Sequence, residues 1–514
     1  MKTLHRLLLV SGFVASSFGL GTRGSANPLT SARAARAAEL TLGLDFEDAR
    51  RELLGGDEGA PEIALEIGRL ALYESDCDAA LVTLARSDVA KIEEGAALSD
   101  IARGCVRVTA GTVVVRDEPR AIEVRFQDEN DRALAPLIFD TVAQARDTLT
   151  RDLGVTWPRP TRITVVRDLM SLSVMTGLPE RAAQTTGTVA VAKWGRVTLL
   201  SPRASHHGYP WRDTIAHELT HLAVTRATVD RAPLWLQEGV AKREEIRWRS
   251  PKPFDDRPSP DTIVAKGFDL KLDLPLDKLG PSIAMLPSAD AALVAFAEVT
   301  SFVRFYAETA GDAALPRLLA ALRAKKTPSA SLVLASSFDL QSWDARWRAH
   351  IVGKPREPLP ALFVLGSQPH DLRSLRDNSR LAELLYGRGH PSEALVELDH
   401  IKTPEAMEDP SIRHLRARLL EALGRTSEAE ATVADPKEVV SSYGPWWAIR
   451  GRLARARGDE ATASPSFVEA VANDPLDAEC ACESADATGR PRESSGADLC
   501  DAARARHEPD VGQD

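Results

Sequence analysis

Several things this chain lacks narrow its classes before any motif is read. Beyond the first 21 residues no segment approaches 18 consecutive apolar positions, which leaves no candidate for a membrane-spanning helix there. Lys and Arg form no clusters and the formal net charge is −10, so neither nucleic acid nor anionic membranes are expected partners. Cysteine is scarce, with five in 514 residues. They form two groups, Cys77 with Cys105, and Cys480, Cys482 and Cys500. Cys480-Ala481-Cys482 has neither CxxC spacing nor a nearby histidine, which argues against a metal site. In an oxidising compartment the expected pairing is Cys77–Cys105 plus one bond within the second group, with one cysteine left over.

What is present begins with a leader-like start. Lys2 and Arg6 precede an apolar stretch, Leu7–Gly21, and Gly24-Ser25-Ala26 offers a small-residue cleavage site, so residues 1–26 read as a signal peptide. No cysteine follows the apolar stretch, which argues against lipid anchoring; an uncleaved anchor is the alternative. Cleavage would remove Lys2, Arg6 and Arg23 and no acids, taking the charge from −10 to −13. The expected destination is periplasmic or extracellular. With 44% hydrophobic residues the remaining chain is long enough for two or three domains with their own cores.

The most informative stretch is His217-Glu218-Leu219-Thr220-His221, followed seventeen positions later by Glu238 within Trp235-Leu236-Gln237-Glu238-Gly239. No Gly or Pro interrupts 211–232, and Ile215, Ala216, Leu219, Leu222, Ala223 and Val224 supply an apolar helical face. Four-residue spacing stacks the two histidines on one face, about 6 Å apart. Glu218 can then aim at the open side of a metal and take a proton from water. The third ligand follows from arithmetic. A helix running to Arg226 rises about 7.5 Å beyond His221, residues 227–232 turn, and a helix opened by Pro233 returns the same distance by Glu238. Two antiparallel helices would thus offer His217, His221 and Glu238 to one Zn²⁺ per chain.

This order resembles the gluzincin zinc metallopeptidases, in particular the peptidase MA-like domains, over residues 110–352. The resemblance implies an α+β, zincin-like domain with a small mixed sheet and active-site helices. Its strands would be 121–126, 161–166 and a hairpin in 188–202 around Lys193-Trp194-Gly195, with a helix over 134–153. Residues 196–200 would be the strand that runs along the active-site helix and pairs with an extended peptide. Segments 301–322 and 342–351 resemble the helices that close such domains. The family often carries an oxyanion-stabilising tyrosine where this chain has Phe296, while Tyr306 faces elsewhere on a regular helix. A Gly-x-Met-Glu-Asn element is absent, which argues against an aminopeptidase. Lys242 stands one turn after Glu238 where an acid would orient a histidine, so that acceptor is unassigned.

Flanking regions read as helical. Gly389, Gly424 and Gly458 are spaced by 35 and 34 residues, the period of tetratricopeptide (TPR) repeats, so 370–485 resembles such repeats and 27–108 does so more loosely. Unrelated helical hairpins are the alternative. Residues 250–262 form a Pro- and Asp-rich connection, either a plain surface loop or a gate. His206-His207 could reach the cleft as proton donors or simply be exposed. The tail 490–514 is expected to be disordered, apart from whatever Cys500 ties down. The functional expectation is an exported zinc endopeptidase acting on peptide or protein substrates, with a protein partner on the repeats. The rival is a catalytically weak or inactive zinc-binding scaffold acting through those repeats.

Overall fold

The computed structural model describes residues 28–205, 208–280, 282–359, 365, 372–402, 407–436, 442–487 and 495–504. The leader-like residues 1–26 and the pair His206-His207 lie outside these. Helices dominate around one small mixed sheet of five strands, β1 (Val113–Asp117), β2 (Ile122–Phe126), β3 (Thr161–Val166), β4 (Ala190–Lys193) and β5 (Arg196–Leu200). Their order is β1-β2-β3-β5-β4. β2, β3 and β5 run parallel, and β1 and β4 pair antiparallel at the two edges.

Alternation sets the faces. Ile122, Val124 and Phe126 of β2 are buried with Ile163, Val165, Val197 and Leu199 of its neighbours. Helices Ala135–Leu153 and Trp211–Thr228 pack on one another and against the sheet. The opposite face carries Glu123, Arg125, Arg162, Thr164, Arg196 and Thr198, and Arg196 reaches Leu72 and Cys105 of the N-terminal helices. Those helices therefore cover the polar face. Their core is continuous with that of the following region, from Ala34 through Ile351. At the β4–β5 turn, Gly195 has φ +69° and its Cα faces Tyr73 O, where a Cβ would sit 2.7 Å away. Only glycine lets the hairpin lie this close to the helical layer.

One expectation needs correction. Strand 196–200 is not the sheet edge, because the hairpin folds its first arm outward. β5 inserts between β3 and β4, and β4 is the edge strand, beside the Trp211–Thr228 helix.

Beyond residue 371 the helices pair in sequence order, Leu372–Gly387 with Pro391–Asp399, Pro410–Ala422 with Thr426–Thr432, and Gly444–Ala456 with Glu460–Asn473. Gly389, Gly424 and Gly458 take left-handed φ of +82°, +71° and +82° at the turns, as C-terminal caps require. A separate apolar cluster holds these pairs together. The tail is less loose than its composition suggests. Ser495–Arg504 is a helix, its Leu499 and Ala503 are buried in the main core, and Cys500 is bonded to Cys482. Three side chains thus supply the burial that polar neighbours cannot. Cys77 is bonded to Cys105, and Cys480 is a buried free thiol. Alkylation under denaturing, non-reducing conditions should therefore label one cysteine per chain by mass; five labels would refute the pairing. Among the described residues no helix is long and apolar enough to cross a membrane.

Candidate metal centre

The first site helix, Trp211–Thr228, is held almost wholly inside the protein, with Trp211, Ile215, Leu219, Leu222 and Val224 all buried. Trp211 Nε1 donates to Ala472 O at 3.1 Å, tying its first turn to the C-terminal region. The helix ends where Val229 and Asp230 both take φ +54°. A β-branched residue there is strained, and the reversal is fixed by surrounding contacts. The second site helix, Leu234–Glu244, then returns antiparallel. Gly239 lets it approach the Ala289–Ala310 helix, since a Cβ would stand 2.4 Å from Val303 Cγ2 and 2.5 Å from Val299 O. Trp235 packs edge-on against Phe302 at 5.3 Å, and Phe302 against Trp347 at 5.8 Å. This aromatic column, with Gly239, sets the depth at which Glu238 is presented.

His217 Nε2 and His221 Nε2 stand 3.2 Å apart, and Glu238 Oε2 is 3.6 Å from each. Glu218 is buried, and its carboxylate lies with both imidazoles inside a 4.8 Å cluster. Its carboxylate accepts from the backbone N–H of Ala192 on the edge strand β4. Burial raises the Glu218 carboxyl above its ordinary range, against the pull of His221 and His217.

The acceptor that sequence left unassigned is Glu245, whose Oε2 lies 3.0 Å from His217 Nδ1. It stands seven residues after Glu238, on the same helical face, a spacing that could have identified it. Lys242 grips Glu245 at 2.7 Å, so the lysine acts on His217 through its neighbour. Burial alone would raise Glu245, but Lys242 and His217 outweigh it and hold the carboxyl at about 2. Gln237 Oε1 lies 3.5 Å from His221 Nδ1. A carboxylate can only accept, so the neutral His217 tautomer carries its proton on Nδ1 and turns the Nε2 lone pair inward.

Two lone-pair nitrogens and a carboxylate oxygen facing one point repel each other unless a cation joins them. Without one, a proton does that work: burial opposes charge on His217, but Glu238 and Glu245 lift it to about 10. Two imidazoles and a carboxylate are a donor set that suits Zn²⁺. Because Glu245 orients the His217 ring, Glu245→Gln should weaken the affinity for a metal held by His217 about 10–100-fold in a chelator competition. Unchanged affinity would remove it from the centre.

Other sequence candidates fall elsewhere. Phe296 is half-buried on the Ala289–Ala310 helix, packed against the core. Tyr306 is fully buried, edge-on to Trp343 at 5.0 Å. The 250–262 segment is tied down: Arg249 bridges Asp213 of the first site helix and Asp255 at 2.7 and 2.8 Å, and Lys252 pairs with Glu469. These ion pairs favour a fixed connection over a gate.

No family profile and no curated protein matches the chain. Among solved structures, native yeast LTA4 hydrolase matches with 12% identity and a TM-score of 0.30, covering 76% of this chain and 66% of that one. Yeast LTA4 hydrolase in complex with bestatin matches with 13% identity and a TM-score of 0.29, covering 76% and 67%. The chain thus spans about two thirds of the length of that hydrolase. At this level of likeness the site's own residues carry the functional reading.

Proposed function

We propose that this chain is a zinc-dependent metallopeptidase, an exported endopeptidase in which His217, His221 and Glu238 hold one Zn²⁺ and Glu218 is the general base. The observation that carries it is the meeting of His217 Nε2, His221 Nε2 and Glu238 Oε2 within 3.6 Å, with Glu218 beside them. Zinc, when bound, supplies a Lewis acid that acidifies water and polarises a carbonyl. Glu218 takes the proton from the water that attacks the scissile carbonyl carbon. It returns that proton to the amide nitrogen as the C–N bond breaks. Its raised proton affinity suits the first transfer, because a carboxylate of ordinary strength is a weaker base towards the attacking water. Glu245 holds the His217 ring in register, and Lys242 keeps Glu245 charged.

The edge position of β4 supports a peptide substrate. β4 has a neighbouring strand on one side only, which is the position an added extended chain takes, and Ala192 N–H links that edge to Glu218. The paired helices after residue 371 fit a TPR-like surface for a protein partner. A second reading, a weak or inactive zinc scaffold working through that surface, draws on Phe296, which the sequence resemblance aligns with a tyrosine often carried by gluzincin peptidases. Loss of one oxyanion donor costs about 10²–10³ in rate. Elemental analysis of the purified protein, run with a broad peptide-library cleavage assay, tests the proposal. One zinc per chain with cleavage is expected; zinc without cleavage leaves the scaffold, and absent zinc overturns both.

A further inference from the structure

On the sheet face that meets the N-terminal helices, a row of charges crosses all five strands. Register sets Arg116 opposite Glu123, Glu123 beside Arg162, Arg162 beside Arg196, and Arg196 opposite Lys193. That is four cations and one carboxylate, and like charges directly across a sheet destabilise it. Two of the cations have a local counter-charge. Arg116 Nε donates to Glu123 Oε2 at 2.9 Å, and Asp230 acts on Lys193.

Arg162 shares Glu123 with Arg116, and Arg196 has no carboxylate of its own. Arg196 is 1% exposed and donates only to neutral or weak acceptors, Leu72 O at 2.8 Å, Cys105 Sγ at 3.4 Å and Ser75 Oγ at 3.5 Å. Arg162 Nη1 is buried with no hydrogen-bond partner. The adjacent row adds Arg125, whose Nη1 goes to Thr112 Oγ1 at 2.9 Å. Glu74, the carboxylate that the helical layer brings towards Arg162, is engaged by Arg50. Burial first, then Arg125 and Arg162, pushes the Arg196 guanidinium down to about 10. A desolvated guanidinium facing another, with an unused N–H, is costly unless an anion completes it.

We propose that the layer between this sheet and the N-terminal helices binds a small tetrahedral oxyanion, phosphate or sulfate, on the Arg162 guanidinium, with Arg196 and Arg125 supplying the surrounding positive field. A planar guanidinium offers paired N–H groups that match two oxygens of such an ion. None of these residues belongs to the histidine cluster, so the site stands or falls independently of zinc and peptidase activity.

Thermal unfolding of the full chain tests it, in phosphate, sulfate or chloride at equal ionic strength and a few millimolar, below the range where these salts stabilise proteins generally. Wild type should gain at least about 2 °C in phosphate or sulfate over chloride. Arg162→Met should lose that gain while being no less stable than wild type in chloride, because it relieves the opposed pair. Arg103→Met, which removes an exposed partner of Asp100, should keep it. No gain in wild type, or an equal gain in Arg162→Met, overturns the site. Should Arg162→Met fail to fold, ³¹P line broadening of inorganic phosphate by wild type and by Arg162→Lys reads the same property. At least tenfold weaker binding by the lysine variant supports the site, and equal or absent broadening overturns it.

Discussion

Glu218→Gln is expected to leave zinc in place and to cut peptide hydrolysis by about 10²-fold or more. Glutamine keeps the shape of the side chain, and its carbonyl oxygen can still accept from Ala192 N–H. What it loses is the capacity to take up a proton. Glu218 is buried beside both imidazoles, where no bulk water can substitute as base. The experiment also separates the two carboxylates, since Glu218 and Glu238 both lie close to the histidines. If Glu218→Gln loses zinc while Glu238→Gln retains it, their roles are exchanged. Equal turnover by wild type and Glu218→Gln on every peptide, with zinc in both, would establish the scaffold reading.

His217→Ala is expected to abolish stoichiometric zinc, because it removes one of three protein ligands and strands two others. His217 joins Glu238 at 3.6 Å to Glu245 at 3.0 Å. Its loss leaves buried carboxylates without the group that reconciles them, and breaking such a buried pair typically costs roughly 3–5 kcal/mol. The variant should therefore be destabilised as well as metal-free, and chemical denaturation would register both. His221→Ala should also lose zinc, with less effect on Glu245, which it does not touch. A full equivalent of zinc retained by either variant would mean that the metal binds elsewhere.

Much of this centre was legible because helical periodicity is a local property. His217, Glu218 and His221 lie within one and a half turns, and a short turn with a proline start returned Glu238 to their level. Glu245 is equally local, seven residues after Glu238, but Lys242 occupies the nearer turn. Cys77–Cys105 followed from grouping alone. The partner of Cys500 did not, since Cys480 and Cys482 are two residues apart and only packing buries one as a thiol and bonds the other.

The amino-acid order by itself determined the two site helices and the helix over 134–153, the apolar face of the first site helix, and which of its side chains share a side. These depend on residues within a turn or two of one another. Tertiary structure alone decided that β4 rather than β5 is the edge, because both arms of a hairpin alternate alike and only pairing to β3 tells them apart. It also decided that the polar tail carries a docked helix and that Arg162 and Arg196 stand side by side. Those two arginines are 34 positions apart, and each strand reads as ordinary on its own. Their opposition arises from strand register, a long-range choice made by burying the other face of the sheet.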